Sequence, residues 1–239
     1  MIPLKDDNPR IAFPIVTILI ILANGIVFLY QMVWVAEPQA FVYRFGTIPW
    51  EITHFKELAS LPLRFQSDIP NVLTLFTSMF LHGGLLHLIG NMLFLWIFGD
   101  NVEGIMGHGR FLLFYLCCGL IASMSHVLLA PDSNIPMVGA SGAISGVLGA
   151  YLVRFPRARV HVLFILIVFI RVIRIPAIAV LGFWFVMQLL NGLISIGPDS
   201  NAGVAWFAHI GGFVAGLILV FIFENKEKVR LYRKVKWQF

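Results

Sequence analysis

Long runs of apolar residues without a charge constrain this chain more than any other feature of its sequence. A membrane-spanning helix needs about 20 consecutive apolar residues. Six segments without Asp, Glu, Lys or Arg reach or approach that length: residues 11–35, 72–98, 111–130, 135–153, 175–196 and 202–223. The sequence therefore predicts an all-α polytopic membrane protein whose six spanning helices form one bundle.

Two further segments leave alternatives open. Residues 160–170 are apolar but are followed by Arg171 and Arg174, so they form either an interfacial segment or an extension of the fifth helix. A seventh span is the competing interpretation. Residues 36–70 are long for a structureless loop. Their mixture of aromatic and charged side chains favours a partly embedded first external loop over a solvated linker.

Charged residues are scarce and unevenly placed. They make up 12% of the 239 residues, about half the share in a soluble domain. This argues against a soluble protein and, despite the net charge of +5, against a nucleic-acid-binding protein. Alternate segments hold 14 of the 17 basic residues, an asymmetry that marks the cytoplasmic side. We expect a multi-pass cell-membrane protein with cytoplasmic tails at 1–10 and 224–239 and a membrane domain at 11–223.

Polar residues inside a span are costly and are therefore functional candidates. Counting 13 to 15 residues back from the nearest cytoplasmic charge places Ser141, His209 and His87 at nearly the same level. At about 1.5 Å per residue, that level lies roughly 20 Å above the inner edge of the hydrocarbon core. It lies on the order of 10 Å below the external surface of the core. Three polar side chains at one depth indicate a shared site.

Small residues form stripes on two of the predicted helices. The stripes comprise Ser141, Ser145 and Gly149, then Gly142, Gly146 and Ala150 beside them, and His209, Gly212 and Gly216 on the sixth helix. Such faces let membrane helices approach closely. Facing stripes would place Ser141 beside His209, although helix packing alone also explains the stripes.

A serine beside a histidine has a well-defined chemistry. A serine hydroxyl becomes a nucleophile when a base such as histidine takes its proton. His87 and Asn91 share a helix face and can donate hydrogen bonds to the resulting oxyanion, together with the backbone N–H of Ser141. Because the sequence has no carboxylate at that depth, the predicted arrangement is a Ser141–His209 dyad rather than a triad. His82 is either a supporting residue or a structural histidine.

Three motifs in this order resemble those of the rhomboid intramembrane serine proteases, over about residues 11–223. They are Gly139-Ala140-Ser141-Gly142, His82-x4-His87-x3-Asn91 and Ala208-His209-x2-Gly212-x3-Gly216. The resemblance implies that Ser141 is the nucleophile and that His209 is the general base and then the acid. It also implies an oxyanion hole built from His87 and Asn91. The four motif glycines are expected to support the site: Gly139, Gly142, Gly212 and Gly216.

The resemblance also implies what the protein acts on. Rhomboids cleave other membrane proteins near the outer end of a transmembrane helix, so the expected partners are transmembrane substrates and the bilayer, with no cofactor and no metal. The sequence departs from the family pattern at two places. Tyr43-Arg44 stands where many rhomboids have Trp-Arg, and Ser145 stands where some have a tyrosine packed on the catalytic histidine.

Two other functions compete with proteolysis. A metal or haem site would use histidines such as His82, His87, His126 and His209, but His82 and His87 are five residues apart rather than four. A transporter or a non-catalytic protein that binds membrane helices is the other alternative. Cys117 and Cys118 are adjacent, which argues against an ordinary disulfide or a CxxC zinc site. The sequence leaves the oligomeric state open.

Overall fold

The structure is a computed structural model that describes residues 2–67, 69–166, 169–195 and 204–236. Most of these residues are helical. The helices are α1 Ile15–Val33, α2 Pro38–Phe45, α3 Pro49–His54, α4 Thr74–Thr77, α5 Leu85–Met106, α6 His108–Leu129, α7 Ser141–Arg154, α8 Ala177–Ile194, α9 Trp206–Phe223 and α10 Lys226–Lys236. The strands are β1 Ile2–Asp6, β2 Arg159–Leu166 and β3 Phe169–Pro176.

The helices form the membrane bundle that the sequence predicts. Five helices within the described residues are long and apolar enough to cross a membrane, namely α1, α5, α6, α8 and α9. The remaining predicted span, 135–153, contains α7, which has only 14 residues and is almost entirely buried by its neighbours. The helical polytopic fold is thus confirmed, with a short helix at its centre.

The start of α7 is determined by the backbone before it. Met137 and Thr47 exchange two backbone hydrogen bonds, at 2.8 and 3.0 Å, and the N–H of Gly139 donates to the carbonyl of Ser78 at 2.8 Å. Non-helical backbone is tolerated at membrane depth only where protein or water satisfies its polar groups. These bonds therefore let the chain stay extended until Ser141, where α7 begins.

The predicted span 72–98 is divided in the structure. Its first part forms α4 and short 3-10 turns, and α5 begins only at Leu85, after Gly83 and Gly84. α5 then continues to Met106. Asp100, the first acidic or basic residue after His87 in the sequence, is a buried residue inside this helix. The depth counted for His87 from Asp100 therefore did not start at a helix end.

The connection between α1 and α5 is structured, as the sequence predicts. Within its described part, α2 and α3 are anchored on the bundle through Thr47, whose hydroxyl donates to the carbonyl of Thr74 at 2.9 Å. Ile48 beside it is buried. Glu51 accepts the backbone N–H of Leu58 at 3.1 Å, which fixes the turn that follows α3.

The three strands form an antiparallel sheet in the order β1-β2-β3. Its register pairs Ile2 with Leu163 and Arg159 with Pro176. Strand β1 lies within residues 1–10, which the sequence analysis treats as a tail. The basic C-terminal segment likewise contains a helix, α10.

The expectation of a helical extension or a seventh span at 160–170 was wrong, because the described residues of this segment belong to β2 and β3. The segment is rich in Val and Ile, whose branched side chains favour strands. Val160 and Val162 are buried, whereas Arg171 and Arg174 are exposed. The two arginines thus lie on a strand of the hairpin rather than on a spanning helix.

A buried carboxylate ties α1 to α5. Glu103 accepts the backbone N–H groups of Val16 and Thr17 at 2.9 and 2.8 Å and the Thr17 hydroxyl at 2.7 Å. His108 Nδ1 lies 2.6 Å from the same carboxylate. The first N–H groups of a helix have no partner within the helix, and negative charge is favoured there. Glu103 therefore caps α1 from a different helix.

Polar side chains connect β1, α5, α7 and α10 at the end of the bundle that holds the sheet. Tyr151 donates its hydroxyl to Asp6, and Asn101 donates to the same carboxylate at 3.2 Å. Asn8 donates to the Tyr151 hydroxyl at 2.7 Å and accepts the Tyr232 hydroxyl. Burial, and to a smaller extent the nearby Asp100, raises the pKa of Asp6 to about 6.

Because Glu103 accepts three hydrogen bonds from α1, removing its charge and one of its acceptor atoms should destabilise the protein. In Glu103→Gln an amide nitrogen replaces one acceptor, so at least one buried donor loses its partner. We expect the free energy of unfolding to fall by roughly 1–3 kcal/mol, measured by denaturant unfolding in detergent micelles. Glu227→Gln, at an exposed position on α10, is the control. Equal stability of the two variants would contradict the cap.

The raised pKa of Asp6 predicts the pH dependence of stability. Because the folded-state pKa of about 6 exceeds the ordinary 3.8, the folded protein binds the proton more tightly, and stability falls as pH rises between these values. Asp6→Asn removes this titration while keeping an acceptor for Tyr151. The variant should therefore gain in melting temperature over wild type between pH 4 and 7. For the exposed Asp132→Asn control, the curve of melting temperature against pH should run parallel to that of wild type. A parallel curve for Asp6→Asn would refute the raised pKa of Asp6.

Candidate active site

The structure places the hydroxyl of Ser141 beside the imidazole of His209. Ser141 Oγ lies 2.8 Å from His209 Nε2, within hydrogen-bond distance. Ser141 is the first residue of α7, and His209 lies in the first turn of α9. The two residues are 68 positions apart in the chain, so their contact depends on how these two helices pack.

Glycines allow that packing. A Cβ atom built on Gly212 would overlap the carbonyl oxygen of Gly142, and one built on Gly216 would overlap the carbonyl of Gly146. The two helix backbones therefore touch directly, without side chains between them. The stripes predicted on the fourth and sixth spans face each other, and this brings the start of α7 to the start of α9.

His87 and Asn91 lie against the backbone immediately before Ser141. Gly139 has a φ of +124°, a conformation that suits glycine, and a Cβ built there would approach His87 Nε2 at 2.9 Å and Asn91 Nδ2 at 3.6 Å. Asn91 Nδ2 is buried and has no hydrogen-bond partner among the described residues. A buried donor without a partner is available for a group that binds there.

His82 occupies a different position from the other predicted residues. Its side chain is fully buried, and neither ring nitrogen has a partner among the described residues. The imidazole of His82 contacts that of His87 edge to face, with ring centroids 5.1 Å apart. The backbone carbonyl of His82 accepts a hydrogen bond from Gln31 at 3.2 Å. His82 thus packs against His87 and does not itself line the cavity described below.

The second ring nitrogen of His209 also has a partner. His209 Nδ1 lies 2.8 Å from Gln188 Oε1 on α8. The rings of Trp184 and Trp206 flank the imidazole, with centroids 6.0 and 6.2 Å from its own. Gln188 is not among the site residues predicted from the sequence. A polar residue inside an otherwise apolar run is the signal that identifies it.

A cavity of about 370 Å³ opens onto these groups. Its polar walls include Ser141, His209, His87 and Asn91, and other parts of its wall are small residues: Gly119, Ala122, Gly142 and Ala208. The cavity therefore brings a serine hydroxyl, two imidazole rings and a carboxamide to one space. Within the described ranges, no three His, Cys, Asp or Glu side chains are close enough together to hold a metal ion.

Comparisons with known proteins point to one family. The family described as the Rhomboid domain matches residues 70–226. Rhomboid protease GluP of Bacillus subtilis (strain 168) is 37% identical over 142 residues, which cover 59% of this chain and 24% of that protein. Putative rhomboid protease YdcA of the same organism is 30% identical over 161 residues, covering 65% of this chain and 69% of its own length.

Mitochondrial proteins are also similar. The human presenilin-associated rhomboid-like protein, mitochondrial, is 29% identical over 174 residues, covering 66% of this chain and 41% of that protein. The chain thus spans less than half the length of this relative and about a quarter of GluP.

The backbone contact between α7 and α9 predicts that adding a single methyl group between them destabilises the protein. Gly216→Ala should push the helices apart and lower the melting temperature by roughly 3–10 °C, because overpacking costs about 1–3 kcal/mol. Gly182→Ala on α8 is the matched control, since a Cβ there meets nothing within 4 Å. A Gly216→Ala protein as stable as the control would contradict this packing.

Proposed function

This chain belongs to the rhomboid family, and from that premise we propose that it is an intramembrane serine endopeptidase that cleaves transmembrane proteins with a Ser141–His209 dyad. The observation that carries the proposal is the 2.8 Å distance between Ser141 Oγ and His209 Nε2 in a cavity inside the bundle. A serine and a base at hydrogen-bond distance are the minimal machinery of acyl transfer to a serine.

The proposed reaction begins with the substrate carbonyl beside Ser141. His209 Nε2 accepts the hydroxyl proton as Oγ attacks the carbonyl carbon, and the imidazolium then donates that proton to the departing amine. Water, activated by the same nitrogen, then hydrolyses the acyl-enzyme. The proton transferred in each step is therefore carried by His209 Nε2.

The oxyanion that forms during the attack needs donors. The N–H of Ser141 is at the first position of α7, where helix N–H groups have no partner within the helix and the helix dipole favours negative charge. His87 and Asn91 lie next to Gly139, and Asn91 Nδ2, which has no partner within the described part of the chain, supplies a further N–H. Preorganised donors of this kind are typically worth a factor of 10² to 10³ in rate each.

The proposal includes where the protein acts. The concentration of basic residues at the sheet, at Arg154 and in α10 favours cytoplasmic termini, since basic residues accumulate on that side. The α2–α3 connection and the start of α7 then face the outside of a cell membrane. Substrate helices are therefore cut towards their outer ends.

Ser141→Ala should abolish cleavage and leave the fold intact. We expect cleavage of a transmembrane substrate by purified protein in liposomes to fall by at least about 10³-fold, and His209→Ala to be nearly as damaging, because the two residues act as a unit. A fluorophosphonate should label wild-type protein at Ser141 and should not label the alanine variant.

The control is Ser125→Ala on α6, where the hydroxyl donates only to the carbonyl of Ile121 in its own helix. This variant should cleave and react like wild type. Unchanged cleavage by Ser141→Ala would overturn the proposed nucleophile. A wild-type protein that binds a substrate helix but neither cleaves it nor reacts with the probe would favour the non-catalytic alternative.

A further inference from the structure

The hydrogen bond between α8 and His209 has a consequence for the dyad. We infer that Gln188 is the positioning residue of the site, which fixes the tautomer and the orientation of His209 from the side opposite Ser141. This inference rests on the proposed function. It assigns to a neutral amide the task that a carboxylate performs in a Ser-His-Asp triad.

The orientation of the Gln188 amide follows from its second contact. Its Nε2 donates to the carbonyl oxygen of Trp184, one turn earlier on α8, at 3.2 Å. A carbonyl can only accept, so the nitrogen of the amide must face Trp184 and the oxygen must face His209. The reversed amide would bring two acceptors together.

The orientation of the amide then determines the tautomer of the histidine. Gln188 Oε1 can only accept, so His209 Nδ1 must carry the proton that it donates across the 2.8 Å contact. In neutral imidazole the other nitrogen is then an acceptor. His209 Nε2 therefore presents a lone pair to the Ser141 hydroxyl, which is the state that a general base requires.

Burial makes this contact strong enough to matter. Gln188 is 6% exposed, so water does not compete effectively for Oε1. Trp184 on the same face of α8 lies beside the imidazole and also packs on Phe213 of α9, with ring centroids 5.9 Å apart. Together the amide and the indole restrict rotation of His209.

The amide also avoids a cost that a carboxylate would bring. An ionised acid at this position would have to be desolvated among apolar helices, which is expensive without a permanent partner. The amide of Gln188 accepts the same proton with no net charge. Gln188 therefore orients His209 without adding a net charge to the site.

The test compares Gln188→Met with Gln188→Glu in the liposome cleavage assay. Methionine keeps the length of the side chain but lacks a strong acceptor, whereas glutamate keeps the acceptor. We expect Gln188→Met to lower kcat about 10- to 100-fold, as for the loss of one positioning hydrogen bond, with KM unchanged within about twofold. Gln188→Glu in its neutral form donates its O–H to the Trp184 carbonyl and accepts from His209 Nδ1, so it should recover at least part of that loss. Leu190→Ala, at an exposed position on α8, is the control and should behave as wild type.

A second readout does not depend on proteolysis. In protein labelled with ¹⁵N-histidine, the His209 signals, identified by their loss in His209→Ala, should show the Nδ1–H tautomer in wild type and a mixture of tautomers in Gln188→Met. A wild-type kcat for Gln188→Met, equal loss in the Met and Glu variants, or an unchanged tautomer would overturn the inference. Absence of Ser141-dependent cleavage in wild type would instead overturn the proposed function, and the tautomer measurement would still test Gln188.

Discussion

The direct contact between the backbones of α7 and α9 is the interaction on which the rest of the site depends. Lipid tails are as apolar as leucine, so membrane helices associate mainly by close packing and interhelical hydrogen bonds rather than by the hydrophobic effect. Gly212 and Gly216 let α9 touch the carbonyls of α7. Side chains at these positions would separate the helices and with them Ser141 and His209, whose contact spans only 2.8 Å.

A short, buried α7 creates a requirement at each end. At its start, the extended backbone around Met137 and Gly139 needs partners, and Thr47 and Ser78 provide them. At its other end, Tyr151 joins the hydrogen-bond network of Asp6. Unpaired polar groups are costly where water is absent, so the loop that follows α1 and the strand that precedes it both serve to hold the central helix in place.

The sequence predicted the parts of this fold that local patterns determine. Uncharged runs predicted the bundle, and the small-residue stripes predicted that Ser141 and His209 could meet. Partners that lie far apart in the chain could not be read from such patterns. Glu103 is one example, because nothing in its sequence neighbourhood shows that its carboxylate caps the N-terminus of α1. The segment 160–170 was ambiguous for a similar reason, since its pairing partner β1 lies at the other end of the chain.

Gln188 shows why a neutral residue of a membrane-embedded site is missed when only ionisable residues are considered. A search for intramembrane acids and histidines identifies His209 and then finds no carboxylate to orient it. In water a carboxylate could orient the histidine at little energetic cost, since water solvates its charge whenever the histidine is neutral. Inside a bundle the same acid would be a desolvated charge whenever the histidine is neutral. A glutamine whose nitrogen donates to the carbonyl of Trp184 has its oxygen directed at His209. Orientation without charge is therefore the arrangement that this environment favours.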